Sequence, residues 1–140
     1  MSKPYELERF VEAQQPIYAD VIEELQSGRK RSHWMWFIFP QIKGLGRSGM
    51  AMHYAIASKD EAAAYLAHPV LGARLKQCAQ LVMAIEGKGL NDIFGSPDDL
   101  KFHSSMSLFA IVAGPSSIFQ ACLKKFCGNQ LDHATVRLVE

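Results

Sequence analysis

The sequence predicts an all-α fold: a compact, orthogonal bundle of about six to eight short helices with at most a vestigial strand. Three observations carry that prediction. Apolar residues recur at helical spacing through most of the chain. Glycines and prolines cut the periodic segments short. The apolar run Trp34–Phe39 reads equally as strand or helix, and helix is favoured because no second strand candidate could pair with it. The 140 residues suit one helical domain, 1–140, able to bury a core without disulfide or metal staples.

Taken in order, Leu7, Phe10, Val11 and Gln14 share one face of a first helix interrupted by Pro16. Tyr18, Val21, Ile22 and Leu25 mark a second helix, which Gly28 stops. Ser32 stands where it could cap a short helix ending before Pro40, and Met50–Ala57 reads as another. Ser58 and Glu61 form a capping box opening DEAAAYLA. Pro69 sits at a first helical position, and Leu71, Leu75, Cys78, Val82 and Ile85 mark what should be the longest helix, ended by Gly87 and Gly89. Ser96 is placed to cap the next, with Pro97 after it and Asp98 and Asp99 in the first turn, where the helix dipole favours carboxylates. Phe102, Met106 and Phe109 form its core stripe. Ile118, Cys122 and Phe126 mark a further helix closed by Gly128, and Asp132 stands at the cap of a last one. No repeat, low-complexity tract or linker interrupts the series.

Composition narrows the function classes. At 49% hydrophobic and 21% charged, the chain reads as globular rather than disordered. A net charge of +1 supplies no field to hold a nucleic acid backbone nonspecifically. No apolar run reaches the roughly 18 residues of a membrane helix. MSKPYELERF lacks a signal-peptide core, so a cytoplasmic location is expected. Cys78, Cys122 and Cys127 lack CxxC spacing and fall inside apolar helical patterns, as buried free thiols would. His33, His53, His68, His103 and His133 are scattered, which predicts no metal site, and no cofactor is implied. Oligomeric state is left open.

One stretch is chemically denser than the rest: RKRSHWMWFIFPQIKGLGRSG, from Arg29 to Gly49. Gly44, Gly46 and Gly49 satisfy G-x-G-x-x-G, but Pro40–Lys43 separates them from the apolar run and helical pattern follows, so the context of a dinucleotide fold fails. The loop Gly44–Ser48, with Lys43 and Arg47 beside it, could instead offer backbone N–H groups to an anion, or be a plain turn. Trp34 and Trp36 would suit a ring-bearing anion, or simply pack in the core. On the helix from Pro97, Asp98 and Ser105 point inward and Lys101 lies one turn from Ser105, a spacing that permits a nucleophile–base pair. The plainer reading is a serine bonded to its own helix and a lysine reaching water.

These segments together predict a polar-aromatic pocket for a small anionic metabolite, with a nucleotide or sugar phosphate as the favoured class. Lys30, Trp34, Trp36, Gln41, Gly44, Gly46, Arg47 and Ser48 would bind it. His33, Asp98, Lys101 and Ser105 are the candidates for any catalysis, which the sequence leaves undecided. The alternative is a protein–protein interaction module that uses the Trp34/Trp36 block as an exposed patch, without chemistry. Charge supplies a further clue. No Asp or Glu lies between Gln26 and Lys59, whereas Arg29, Lys30, Arg31, Lys43 and Arg47 do. Solvent, acids from other segments, or a bound anion must balance them.

The pattern Arg9-Phe10, Ala13-Gln14, Lys30, Ser32-His33-Trp34-Met35-Trp36-Phe37, Phe39-Pro40-Gln41 and Gly44-Leu45-Gly46 is distinctive. So are Tyr65-Leu66, His68-Pro69-Val70-Leu71-Gly72, Arg74-Leu75, Phe94-Gly95, Asp98, Lys101 and Ser104-Ser105-Met106. The chain thereby resembles a bacterial family classed as a domain of unknown function, some members of which carry the label calpastatin. The resemblance runs from Arg9 to about Thr135 and implies a compact all-α domain with no established activity. Ser107 departs from the threonine that the pattern leads one to expect, and keeps the hydroxyl. The inhibitor calpastatin is a disordered, repetitive chain, unlike this composition.

Overall fold

Glycines, prolines and capping side chains set where the helices begin and end. The computed structural model of the protein describes residues 6–139, so the first half of MSKPYELERF lies outside the described residues. Within them run α1 (Glu8–Gln14), α2 (Tyr18–Gln26), α3 (Met35–Ile38), α4 (Gly49–His53) and α5 (Lys59–Ala67). There follow α6 (Leu71–Met83), α7 (Leu90–Phe94), α8 (Asp98–Ala113), α9 (Ile118–Phe126) and α10 (His133–Val139). The all-α class holds. Ten helices exceed the predicted number because α3, α4 and α7 are pieces of four or five residues. The WMWFIF run resolves as helix α3, and the strand content among the described residues is an isolated parallel bridge between Ile42 and Ile56.

Local chemistry explains the boundaries. Gly28, at φ +82°, lets the chain leave α2 with Gly28 N bonded to Leu25 O and Arg29 N to Glu24 O, a Schellman ending. Ser58 Oγ accepts from Glu61 N at 3.1 Å, while Glu61 Oε1 accepts from Ala57 N at 2.6 Å, one residue earlier than a standard capping box. Pro69 falls just before α6; it is His68 Nδ1 that accepts from Val70 N and Leu71 N there. Ser96 does not cap α8. The peptide to Pro97 is cis, and the first-turn N–H groups of Asp99 and Leu100 go to Gly95 O and Asp99 Oδ1. Asp132 does cap α10, accepting from Thr135 N and, at 2.6 Å, from Thr135 Oγ1.

The longest helix is α8, of sixteen residues, rather than α6, of thirteen. The α6 ladder stops at Met83, where the Lys125 ammonium takes the carbonyls of Met83 and Ile85. Burial around α8 extends past the predicted stripe: every residue from Ser104 to Ala110 is buried, because α5, α7, α9 and α10 surround it. Phe39, just past α3, meets Phe102 edge-on at 4.9 Å between ring centroids, and Phe94 stacks on Phe102 at 4.9 Å. Those contacts dock the chemically dense segment onto the start of α8. No helix among the described residues is long and apolar enough to cross a membrane.

Candidate functional site

An acid just ahead of the basic run organises the segment that follows. Glu24 lies on the inward face of α2, three residues after Val21 and beside Leu25, and is buried. Its Oε1 accepts from Arg31 N at 2.7 Å, Ser32 N at 3.0 Å and Trp34 Nε1 at 3.0 Å, and its Oε2 accepts from the Ser32 hydroxyl. Burial pushes this carboxyl up, but the bonds from Ser32, Arg31 and Trp34 overcome it and hold it down to about 2. The charge-assisted bonds fix the turn from Arg31 to Trp34. Ser32 therefore acts as a donor to Glu24 and caps nothing.

The fixed turn aims Lys30 at α8. Lys30 N donates to Ile93 O at 2.8 Å, and its ammonium pairs with Asp98 Oδ2 at 2.8 Å. The same ammonium lies 5.1 Å from the centre of the Trp34 ring. From one turn along α8, Lys101 reaches the other oxygen of Asp98 at 3.4 Å and lies 5.2 Å from the centre of the Trp36 ring. The side chain of Lys30 is 7% exposed, that of Asp98 19% and that of Lys101 24%. Two ammoniums thus flank one carboxylate, each against an indole.

The other predicted residues fare differently. Trp34, at 1% exposure and bonded to Glu24, is a core residue that can stack on nothing from solution and offers no face to a partner. Trp36 is half-buried. Ser105 is wholly buried with its Oγ unpartnered, and Lys101 turns to Asp98, so the Ser105–Lys101 pair does not form. Ser104, not singled out from the sequence as a contact residue, bonds Asp132 Oδ2 at 3.0 Å and helps hold α10. His33 is exposed, with no hydrogen bond or ion pair joining it to Asp98 among the described residues.

Gln41 is half-buried, and its carbonyl accepts from Ile56 N in the parallel bridge. Gly44, at φ +108°, lies against Leu138, and Gly46 leaves no room for a side chain beside Ala51. Ser48 spends its hydroxyl on Ala51 N, capping α4. Arg47 is exposed. The glycine loop is built as a turn, apart from the Lys30–Asp98–Lys101 cluster in every hydrogen bond and ion pair of the described residues.

Three clefts among the described residues lie elsewhere on the surface. One of about 390 Å³ is lined by Arg9, Lys43, His53 and Glu61, among others; there Arg9 is already committed to Glu61 and to the carbonyls of Glu6, His53 and Ala55. The other two, of about 420 and 390 Å³, lie beside Gly28 and Lys88 and beside Lys76 and Phe119. None of these three is lined by Trp36, Asp98 or Lys101. The thiols supply no nucleophile near neutral pH: burial pushes Cys78 and Cys122 up to about 12 and Cys127 to about 11.

Residues 4–139 match the model of a family described as a protein of unknown function, DUF1810. Among solved structures, the crystal structure of the conserved hypothetical protein Rv1873 from Mycobacterium tuberculosis is similar at 51% identity and a TM-score of 0.95. The match covers 98% of this chain and 98% of that one. No curated protein matches the chain. Neither description carries the calpastatin label.

Proposed function

The chain belongs to the DUF1810 family, whose description assigns no activity, and from that premise we propose that it binds a small anionic metabolite, a nucleotide or sugar phosphate, at the Lys30–Asp98–Lys101–Trp36 cluster. One observation carries the reading: two ammoniums share a single carboxylate beside a half-buried indole. Within the cluster two ammoniums face one carboxylate next to an aromatic surface, the pairing that a ring-bearing or sugar-bearing anion exploits.

Roles within the cluster follow from burial. Lys30 is sealed against Trp34 and bound to Asp98, so it holds the carboxylate in place and contributes a fixed positive field. Lys101 is the accessible cation. Its i,i+3 pair with Asp98 and its contact with Trp36 are each worth roughly 0.3–1 kcal/mol at such exposure. An incoming phosphate, which offers charge-assisted bonds of about 1.5–3 kcal/mol, can draw it away. The reading is one of binding, with no proton transfer assigned to His33 or Asp98.

Thermal denaturation with inorganic phosphate, nucleotides and sugar phosphates at millimolar concentration tests it. A true ligand at a hundredfold excess over its dissociation constant stabilises by about 2.7 kcal/mol. Added salt should weaken the gain, and Lys101→Ala should abolish it while leaving the unliganded protein folded. If no phosphate compound moves the melting temperature, the anion-binding reading fails.

A further inference from the structure

We infer, on the anion-binding reading above, that the ligand carries a flat unsaturated ring, making it a nucleoside phosphate rather than a sugar phosphate, and that this ring takes the indole face of Trp36 that Lys101 covers in the structure. The two lysines are unequal. Both ammoniums sit over indoles, at 5.1 and 5.2 Å. Yet Lys30 is 7% exposed and 2.8 Å from Asp98, whereas Lys101 is 24% exposed and 3.4 Å from the same carboxylate. Asp98 keeps a close, buried partner when Lys101 departs. Lys101 is thus the one component of the cluster free to change partners.

Its departure has a consequence for Trp36. The ammonium that leaves to meet an anionic group uncovers an indole face, and the cation–π contact is lost. A ligand made of a phosphate and hydroxyls alone puts nothing flat in the vacated place. A purine or pyrimidine does, since every base presents a π-face to an aromatic side chain. The phosphate would then hold Lys101 while the base replaces it on Trp36, so both halves of one ligand are used by a single side-chain movement. These contacts select among no particular bases, so the inference is to a ring and not to one base.

The test titrates the full chain with adenosine monophosphate, ribose 5-phosphate and inorganic phosphate, following both the melting temperature and tryptophan emission excited at the red edge. Trp34 is sealed in the core, so quenching on titration reports Trp36. The nucleotide is expected to quench and to bind at least about fivefold more tightly than ribose 5-phosphate, the lower end for one base stacked on an aromatic ring. Trp36→Leu should reduce the nucleotide to the affinity of ribose 5-phosphate and leave the latter within about twofold. Trp36→Phe, which keeps a ring, should retain most of the preference, and it decides the matter if the leucine variant does not fold. Equal binding of nucleotide and ribose 5-phosphate by the wild type, or nucleotide binding without quenching, overturns the ring inference while anion binding stands. No binding by any of the three overturns both.

Discussion

Removing the carboxylate of Glu24 should cost more than any surface ion pair in the molecule, because one side chain satisfies four donors. In Glu24→Ala, Trp34 Nε1 loses its acceptor at a site of 1% exposure, a desolvation penalty of about 1–3 kcal/mol. Arg31 N, Ser32 N and the Ser32 hydroxyl are only partly buried and can turn to water, losing roughly 0.5–1.5 kcal/mol each. Together the four losses come to about 2.5–7.5 kcal/mol. Glu24→Gln keeps the shape and an amide oxygen for the three N–H donors, so about half that loss is expected. A pH series separates charge from shape. The folded carboxyl is held down to about 2 against an ordinary 4.5. A depressed folded value means the contribution is complete above about 4.5 and is lost as pH falls from there towards 2, about 3 kcal/mol in all. Urea denaturation followed by tryptophan emission, from pH 7 down to pH 3, measures both effects. The difference between wild type and Glu24→Gln should shrink with acidification. An alanine variant destabilised by less than about 1 kcal/mol, or a glutamine variant that tracks wild type at every pH, would refute the account.

Three further expectations can be checked by the same denaturation assay. Asp98→Asn leaves the sealed ammonium of Lys30 without its counter-charge and should cost about 2–4 kcal/mol, whereas Lys101→Ala at its exposed end should cost under about 1. A methyl at Gly72 would stand 2.1 Å from Leu66 O and 2.9 Å from Leu66 C. Since backbone cannot step aside like a side chain, Gly72→Ala should cost about 3 kcal/mol; a neutral result would mean α5 and α6 are less closely joined than they stand here. Ser105→Ala removes a buried hydroxyl with no partner and should be neutral or stabilising by up to about 1 kcal/mol, while Ser104→Ala frees Asp132 and should destabilise by about 1.

The helical class and most helix positions were legible in the sequence because they depend on short-range signals. Gly28, Ser58 and Asp132 mark real ends through bonds within a few residues. Ser96 and Pro69 misled for the same reason: a cap needs a particular backbone geometry as well as a suitable residue, and at α8 and α6 the first-turn donors found Gly95 and His68 instead. Lys30, Asp98, Lys101 and Trp36 were expected in one pocket together with Gln41, Arg47, Ser48 and Ser105; ion pairs and a ring contact join those four, and none joins the rest to them among the described residues. What the sequence hid was Glu24. Its signal was an acid on the apolar face of α2 just before an acid-free stretch, but burial of a carboxylate becomes intelligible only when its donors are in place. Trp34 was misassigned to ligand stacking because adjacent tryptophans look alike until one of them finds a buried acceptor.

The parallel bridge between Ile42 and Ile56 makes the segment between them a detour. Lys43 N bonds Ile56 O at 2.7 Å and Ile56 N bonds Gln41 O at 2.8 Å, so the chain returns to its starting point before the core resumes at Ile56. The tip is lightly held: Arg47 and Ser48 are exposed, and a methyl at Gly49 would meet no heavy atom within 4 Å. Length can therefore be added at Arg47 without moving the two isoleucines, and each doubling of a flexible loop costs only about 0.6 kcal/mol. For protein engineering this is the natural splice point, where an epitope or reporter can be carried outside the bundle while both ends of the host chain stay stitched together.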